Sequence, residues 1–255
     1  MTAPALDKSG GAIRDMFAGV APRYDLLNHL LSGALDFVWR RRAARALGLG
    51  EGARVLDLCA GTGDQAVAVG RRGPEVAAAD FCLPMVARAR RKFARLARRG
   101  RGRARPLVAD ALVLPFGPGR FEGATVSFGL RNVADLGAAL RELRRTLAPG
   151  GRLVVLEFAL PEGKATRALY LFYFRRVLPW IGRLVSPRGS AYSYLPASVA
   201  EFPQREGFVA ELAAAGLVDG GWRDQSMGTV CLYTARKESA RKESAHKESA
   251  NKEPE

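Results

Sequence analysis

Residues 54–64 read Arg-Val-Leu-Asp-Leu-Cys-Ala-Gly-Thr-Gly-Asp. Arg54–Ala60 is a short apolar run that breaks into a glycine-rich turn, as a buried parallel strand does before a helix. Glycines in such a turn let backbone N–H groups approach a ligand closely. The turn alone is weak evidence. It also fits a plain glycine turn, and Gly61-x-Gly63-x-x-Ala66 fits the dinucleotide fingerprint, which keeps a nicotinamide-dependent oxidoreductase in view.

Outward from this turn the chain alternates. Val76–Asp80, Pro106–Asp110, Gly123–Leu130, Gly151–Phe158 and Gly228–Ala235 read as further strands. Between them Val86, Ala89, Phe93 and Leu96 recur at helical spacing, as do Leu136, Ala139, Leu140, Leu143 and Leu147. Pro84 suits a first helical position, and Ala148-Pro149-Gly150-Gly151 ends the second helix. Phe208, Leu212 and Ala215 predict a helix closed by Gly216. The alternation predicts an α/β fold, a doubly wound sheet with helices on both faces. Two parts stand outside it: residues 9–47, mostly helical, and residues 160–203, an insertion after the fifth strand. Both are expected to cover the ligand cleft, as an N-terminal lid and a substrate lid. Residues 1–235 are thus expected to form a single domain. The repeat tail 236–255 (RKESA, RKESA, HKESA, NKEPE) has a composition that predicts disorder.

Three carboxylates sharpen the reading. Asp57 lies inside the first strand, Asp80 ends the second and Asp110 ends the third. Each alone reads as a strand-end cap or turn former. Together they mark successive strand ends, where open α/β sheets bind ligands. Asp80, 17 residues beyond Gly63, is placed to accept both ribose hydroxyls, and Asp110 the exocyclic amine of adenine. Those contacts suit either cofactor. The carboxylate at Asp57 and the missing third glycine favour S-adenosylmethionine.

Composition sets the outer bounds. The chain has 255 residues, 48% hydrophobic and 25% charged, which fits a globular protein and excludes collagen-like, disordered and disulfide-scaffold classes. Forty Lys and Arg against 25 Asp and Glu leave a formal net charge of +15. That charge reads equally as attraction to an anionic partner or as heavy paired use of Arg and Ala. Cys59, Cys82 and Cys231 are odd in number and lack CxxC spacing, so neither zinc nor a disulfide framework is expected, and a reducing compartment is. The N-terminus has no signal-peptide core, and the longest apolar stretch, Ala168–Phe174, is far short of the ~18–20 residues of a membrane span. A cytoplasmic location is expected. Ten Lys and Arg with no acid lie between Met85 and Arg105. They could touch phosphates but lack aromatics at stacking intervals; a solvated helix face is expected, and no nucleic-acid partner. Residues 164–185 join aromatic bulk to Lys164, Arg167, Arg175, Arg176 and Arg183. They read either as a peripheral contact with an anionic membrane surface, on its inner face, or as an apolar lid packed on the domain.

The strand-tip pattern resembles the class I S-adenosylmethionine-dependent methyltransferases. Four longer stretches resemble the ubiquinone/menaquinone biosynthesis C-methyltransferases, including demethylmenaquinone methyltransferase. They are Tyr24-Asp25-Leu26-Leu27-Asn28…Trp39, Ser127-Phe128-Gly129-Leu130-Arg131-Asn132-Val133, Leu147-Ala148-Pro149-Gly150-Gly151…Phe158, and Tyr192-x-Tyr194-Leu195-Pro196…Phe202-Pro203. The resemblance runs from about Phe17 to Arg236. Asp36 stands where that family has His, Phe37 where it has a basic residue, and Leu27 where it has Met.

The resemblance implies a mostly parallel, seven-stranded, Rossmann-like sheet and S-adenosylmethionine as cofactor. It implies cofactor contacts from Thr62, Asp80, the Asp110-Ala111 pair and Ser127. Asp57, Gly61, Gly63 and Phe81 complete the candidate binding set. The implied reaction places a methyl group on a ring carbon of a prenylated quinol without a metal. Arg131 and Asn132, following the fourth strand, are the candidates for holding the quinol oxygen, with Tyr24 contributing from the N-terminal helices. A structural ion pair is the other reading of Arg131. Neither His29 nor His246 is well placed as a base, and the sequence shows no metal-ligand cluster. The ring (naphthoquinol or benzoquinol) and the oligomeric state, a homodimer among the options, stay open. So does a different small-molecule methyltransferase.

Overall fold

The computed structural model describes residues 9–98, 103–173, 176 and 190–239. The chain opens with three helices, α1 (Gly10–Val20), α2 (Tyr24–Leu31) and α3 (Leu35–Ala46). The alternation then runs β1 (Arg54–Leu58), α4 (Asp64–Gly70), β2 (Glu75–Asp80), α5 (Leu83–Ala97), β3 (Arg103–Val108), β4 (Phe121–Ser127), α6 (Leu136–Thr146) and β5 (Leu147–Phe158). After it come α7 (Lys164–Phe172), α8 (Ser190–Glu201), α9 (Glu206–Ala214), β6 (Leu217–Gln225) and β7 (Val230–Lys237).

The strands form one seven-stranded sheet in the order β3-β2-β1-β4-β5-β7-β6. β7 is antiparallel to β5 and β6; the other pairings are parallel. The central strands are covered on both faces, as parallel strands are. One face packs Leu56, Leu58, Leu140 and Leu143, the other Val55, Val69, Val154 and Leu156, all at most 1% exposed. Helix α6 buries Ala139, Leu140 and Leu143 of the predicted stripe, with Leu136 half-buried and Leu147 already in β5, and it is capped by Asp135, whose carboxylate accepts the Ala138 N–H at 2.8 Å.

The fold differs from the sequence reading in several places, among them β5, which starts at Leu147 rather than Gly151. The fourth strand ends at Ser127 rather than Leu130, because Phe128 turns into the left-handed region with φ +63°. The third strand starts at Arg103; its Pro106 is tolerated because β3 is a sheet edge. β6 escaped the residue-by-residue reading. Seven of its nine residues are exposed or half-buried, so no apolar alternation marks it. The first two residues of the repeat, Arg236 and Lys237, belong to β7, where Lys237 Nζ donates to Leu147 O at 2.7 Å. The rest of the repeat from residue 240, and most of the basic-aromatic stretch beyond Tyr173, lie outside the described residues.

Candidate active site

After β3 the chain returns to lay β4 beside β1, so strand order reverses between these two neighbours. Open α/β sheets bind ligands at such a crevice. A cavity of about 160 Å³ lies there. It brings together Gly61, Asp80, Phe81, Asp110, Ala111 and Ser127, six of the candidate cofactor residues.

The local chemistry explains their placement. Gly61 N–H and Cys82 N–H donate to the two oxygens of Asp80, each at 2.8 Å, and fix the carboxylate at the strand tip. Burial raises the Asp80 pKa, and these two donors oppose the rise. An ionised carboxylate keeps further acceptor capacity. Asp110 Oδ1 accepts the Leu112 N–H at 2.9 Å in a tight turn. Ser127 Oγ and Asn132 Oδ1 are buried on the cavity wall without a protein partner. Buried polar atoms are normally hydrogen-bonded, so these two fit a polar ligand such as S-adenosylmethionine.

The other three candidates sit elsewhere. Gly63 (φ +87°) makes the turn into α4, and a Cβ there would collide with the Phe93 ring. Thr62 turns away from the cavity and donates its hydroxyl to Asp25 of α2. Asp57 is fully buried behind the turn and lines neither cavity. Burial pushes its pKa up to about 8, with Arg40 opposing and Asp80 and Asp64 adding to the rise.

A second cavity, of about 290 Å³, opens under α1–α3, α7 and α8. Its wall is mostly apolar and aromatic, with Trp39, Phe158, Tyr170 and Leu195 among the lining residues. Phe17, Tyr24 and Phe128 line both cavities and form their junction. Phe128 is held there by its N–H to Leu156 O at 2.8 Å and by Arg131 Nη1 donating to its carbonyl. The following Gly129 has no room for a Cβ against Cys59. Burial raises the Tyr24 pKa, while Asn28, Arg40 and Arg131 pull it down.

Arg131 forms the structural ion pair that was one of its two readings. It lines the apolar cavity, and its Nη1 pairs with Glu157 Oε1 at 2.6 Å, both residues buried. Its Nε has no hydrogen-bond partner. Sequence reasoning missed Arg40, a second buried guanidinium on the same wall. Its place inside a run of three arginines, Arg40-Arg41-Arg42, hid it, although helical spacing puts it on the buried face with Trp39 and Ala43.

A network of charges fastens the N-terminal helices to the turn. Lys92 Nζ lies 2.8 Å from Asp25 and 2.6 Å from Asp64. His29 Nδ1 is 2.9 Å from Asp36 Oδ2 and its Nε2 is 3.7 Å from Asp64. Folding thus gathers a His29–Asp36–Asp64 group, with ligand atoms within 4.8 Å of one another, that sequence spacing did not reveal. Its atoms already meet Ser32, Lys92 and one another. Asp36 and Phe37, two departures from the family pattern, both contact His29; the Phe37 ring stacks on it at 4.3 Å.

The ubiE/COQ5 methyltransferase family matches residues 6–237 of the chain. The chain is 45% identical to the "Ubiquinone/menaquinone biosynthesis C-methyltransferase UbiE" of Geobacter sulfurreducens, over 91% of each protein. It is 52% identical to the "Demethylmenaquinone methyltransferase" of Thermus thermophilus, over 79% of this chain and 90% of that one. In fold it is similar to the crystal structure of a SAM-dependent methyltransferase from Thermotoga maritima (TM-score 0.62, 19% identity, 88% of this chain and 99% of that one).

Proposed function

The chain belongs to the ubiE/COQ5 methyltransferase family, and from that premise we propose that it methylates a ring carbon of a prenylated quinol with S-adenosylmethionine as donor. Demethylmenaquinol, or the related benzoquinol, is the acceptor. One observation carries the reading. A cavity edged by strand-tip carboxylates meets an apolar cavity holding a buried arginine, and they share only the wall made by Phe17, Tyr24 and Phe128.

Asp80, Asp110 and Ser127 hold the nucleoside, with Gly61, Phe81 and Ala111 shaping the pocket around it. When bound, S-adenosylmethionine supplies a methyl group made electrophilic by its cationic sulfur. The chain's own residues supply alignment and charge. The Arg131 guanidinium stabilises phenolate character on the quinol oxygen, which makes the ring carbon nucleophilic; each methyl gained by the ring displaces one proton, which leaves to water, with S-adenosylhomocysteine as the other product. Glu157 fixes that guanidinium. Asn132, expected beside Arg131 on the quinol oxygen, lines the smaller cavity instead and carries its unpartnered carbonyl oxygen to the nucleoside side of the junction. Tyr24 stands at the junction itself, where Asn28, Arg40 and Arg131 oppose the burial that raises its pKa. Phe17 and Phe128 keep water from the aligned pair. Helices α1–α3 act as the N-terminal lid and α7–α8 as the substrate lid.

The acceptor's lipid tail calls for access to a membrane surface. Helices α2 and α3 expose Leu26, Leu30, Phe37 and Val38, and α7 exposes Leu169 and Phe172, while Arg23 and Arg41 are exposed beside them. Such a face suits peripheral contact with anionic lipid. No helix of the described residues is long and apolar enough to cross a membrane. The function is tested by incubating the purified protein with S-adenosylmethionine and demethylmenaquinol and following the quinol by mass spectrometry. Gain of one methyl group on the ring is expected; methylation at oxygen, or none, rejects the reading. Flotation with anionic vesicles at low salt tests the membrane contact, and absence of binding rejects it.

A further inference from the structure

We propose that Arg40 is a second oxygen-binding cation of the apolar cavity, holding the ring oxygen para to the one held by Arg131. The inference rests on the quinol reading above.

Arg40 is 8% exposed and lines the cavity. Its nearest acid, Asp36, does not satisfy it. Asp36 takes the Ser32 hydroxyl at 2.9 Å and the His29 Nδ1 at 2.9 Å, whereas Arg40 Nε stands 3.7 Å away. That distance gives charge balance but no hydrogen bond. Arg40 Nε is buried and has no hydrogen-bond partner. A buried guanidinium with an unmatched donor is costly, and a ligand oxygen offsets the cost.

The two cations flank one aromatic pair. The Arg40 guanidinium carbon is 5.4 Å from the Phe128 ring centroid, and that of Arg131 is 5.3 Å from the Phe158 ring centroid. The two rings lie 4.5 Å apart. Both arginines also act electrostatically on the Tyr24 hydroxyl at the junction. A 1,4-quinol carries two oxygens on opposite sides of one ring, and this wall offers one cation for each. A monohydroxy ring can use only one. Arg40 is therefore expected to select para-diols over mono-ols.

Calorimetric titration without oxygen, using 1,4-dihydroxynaphthalene and 1-naphthol as probes, tests this. The wild-type protein is expected to bind the diol about tenfold more tightly than the mono-ol, the value of one charge-assisted hydrogen bond. Arg40→Gln is expected to bring the two affinities within about threefold while leaving S-adenosylhomocysteine affinity unchanged. An undiminished preference for the diol in Arg40→Gln overturns the proposal, as does a wild-type protein that shows no preference. Should the Gln variant fail to fold, Arg40→Lys, which keeps the charge but loses the planar fork of donors, is expected to fall between the two. A full wild-type preference in Arg40→Lys overturns the proposal as well. The quinol reading itself fails separately, in the methylation assay with the wild-type protein.

Discussion

Arg131 Nη1 lies 2.6 Å from Glu157 Oε1 at the boundary of the apolar cavity, with Glu157 fully buried and Arg131 7% exposed. The pair sets a charge on the cavity wall without leaving it free to wander. Removing one partner of a buried pair strands the other. Arg131→Ala is expected to lower kcat by about 10²–10³-fold, the cost of an oxyanion donor, with S-adenosylmethionine affinity changed less than about twofold. Steady-state kinetics and cofactor titration check this. Loss of cofactor affinity with turnover intact at saturating cofactor contradicts it.

Asp80 is held by two backbone N–H donors at 2.8 Å and lines the smaller cavity. Asp80→Ala is expected to weaken S-adenosylmethionine binding by about 10–100-fold, the range of hydrogen bonds to a charged group. Acceptor binding, measured with 1,4-dihydroxynaphthalene, is expected to stay unchanged.

Asp57 gives a pH signature. Its ordinary value of 3.8 is raised to about 8 by burial. Between these values the unfolded chain holds fewer protons at this site than the folded one, so stability falls as pH rises through the window. Below 3.8 the group is protonated in both states, and above about 8 the loss is complete. Asp57→Asn is expected to remove a slope of up to about 1.4 kcal/mol per pH unit. Melting temperature from pH 4 to pH 9 for both proteins measures it. Parallel curves contradict the assignment.

The strand-tip half of the site was legible because backbone chemistry writes itself into sequence. Gly61, Asp80 and Asp110 sit where a turn must bend and a strand must end, and the structure gathers them in one cavity. Thr62 was expected at the cofactor, but its hydroxyl goes to Asp25, 37 residues earlier, and no local pattern carries that pairing. The apolar half was harder. Most of its wall comes from helices before β1 and after β5, with Phe128 and Arg131 added from the turn after β4, so its residues share no period. Arg40 was concealed by the two arginines that follow it, although burial separates it from them. Phe128 reads as one more strand residue, yet it leaves the strand with φ +63° and aims its ring into the junction. For a bulky side chain that conformation costs about 1–3 kcal/mol, which the Leu156 and Arg131 hydrogen bonds to its backbone offset.

Lys92 ties Asp25 of α2 to Asp64 of α4 at 2.8 and 2.6 Å, and is 24% exposed at its side chain. Among the described Lys and Arg of the basic run, it is the one that is half-buried rather than exposed. Lys92→Met is expected to cost about 1 kcal/mol of stability, discounted for partial exposure. It is also expected to speed amide exchange in residues 10–31 relative to the sheet. Exchange-mass spectrometry checks the second effect. Uniform exchange across the chain contradicts a latch between lid and turn.

The central claim is that donor and acceptor meet across the wall formed by Phe17, Tyr24 and Phe128. The most direct measurement is a crystal structure with S-adenosylhomocysteine and a 1,4-dihydroxynaphthalene ligand. The nucleoside is expected against Asp80 and Asp110, the sulfur at the junction, and the ring beside Arg131. A nucleoside lying anywhere else, or a ring separated from the sulfur by the closed junction, contradicts the account.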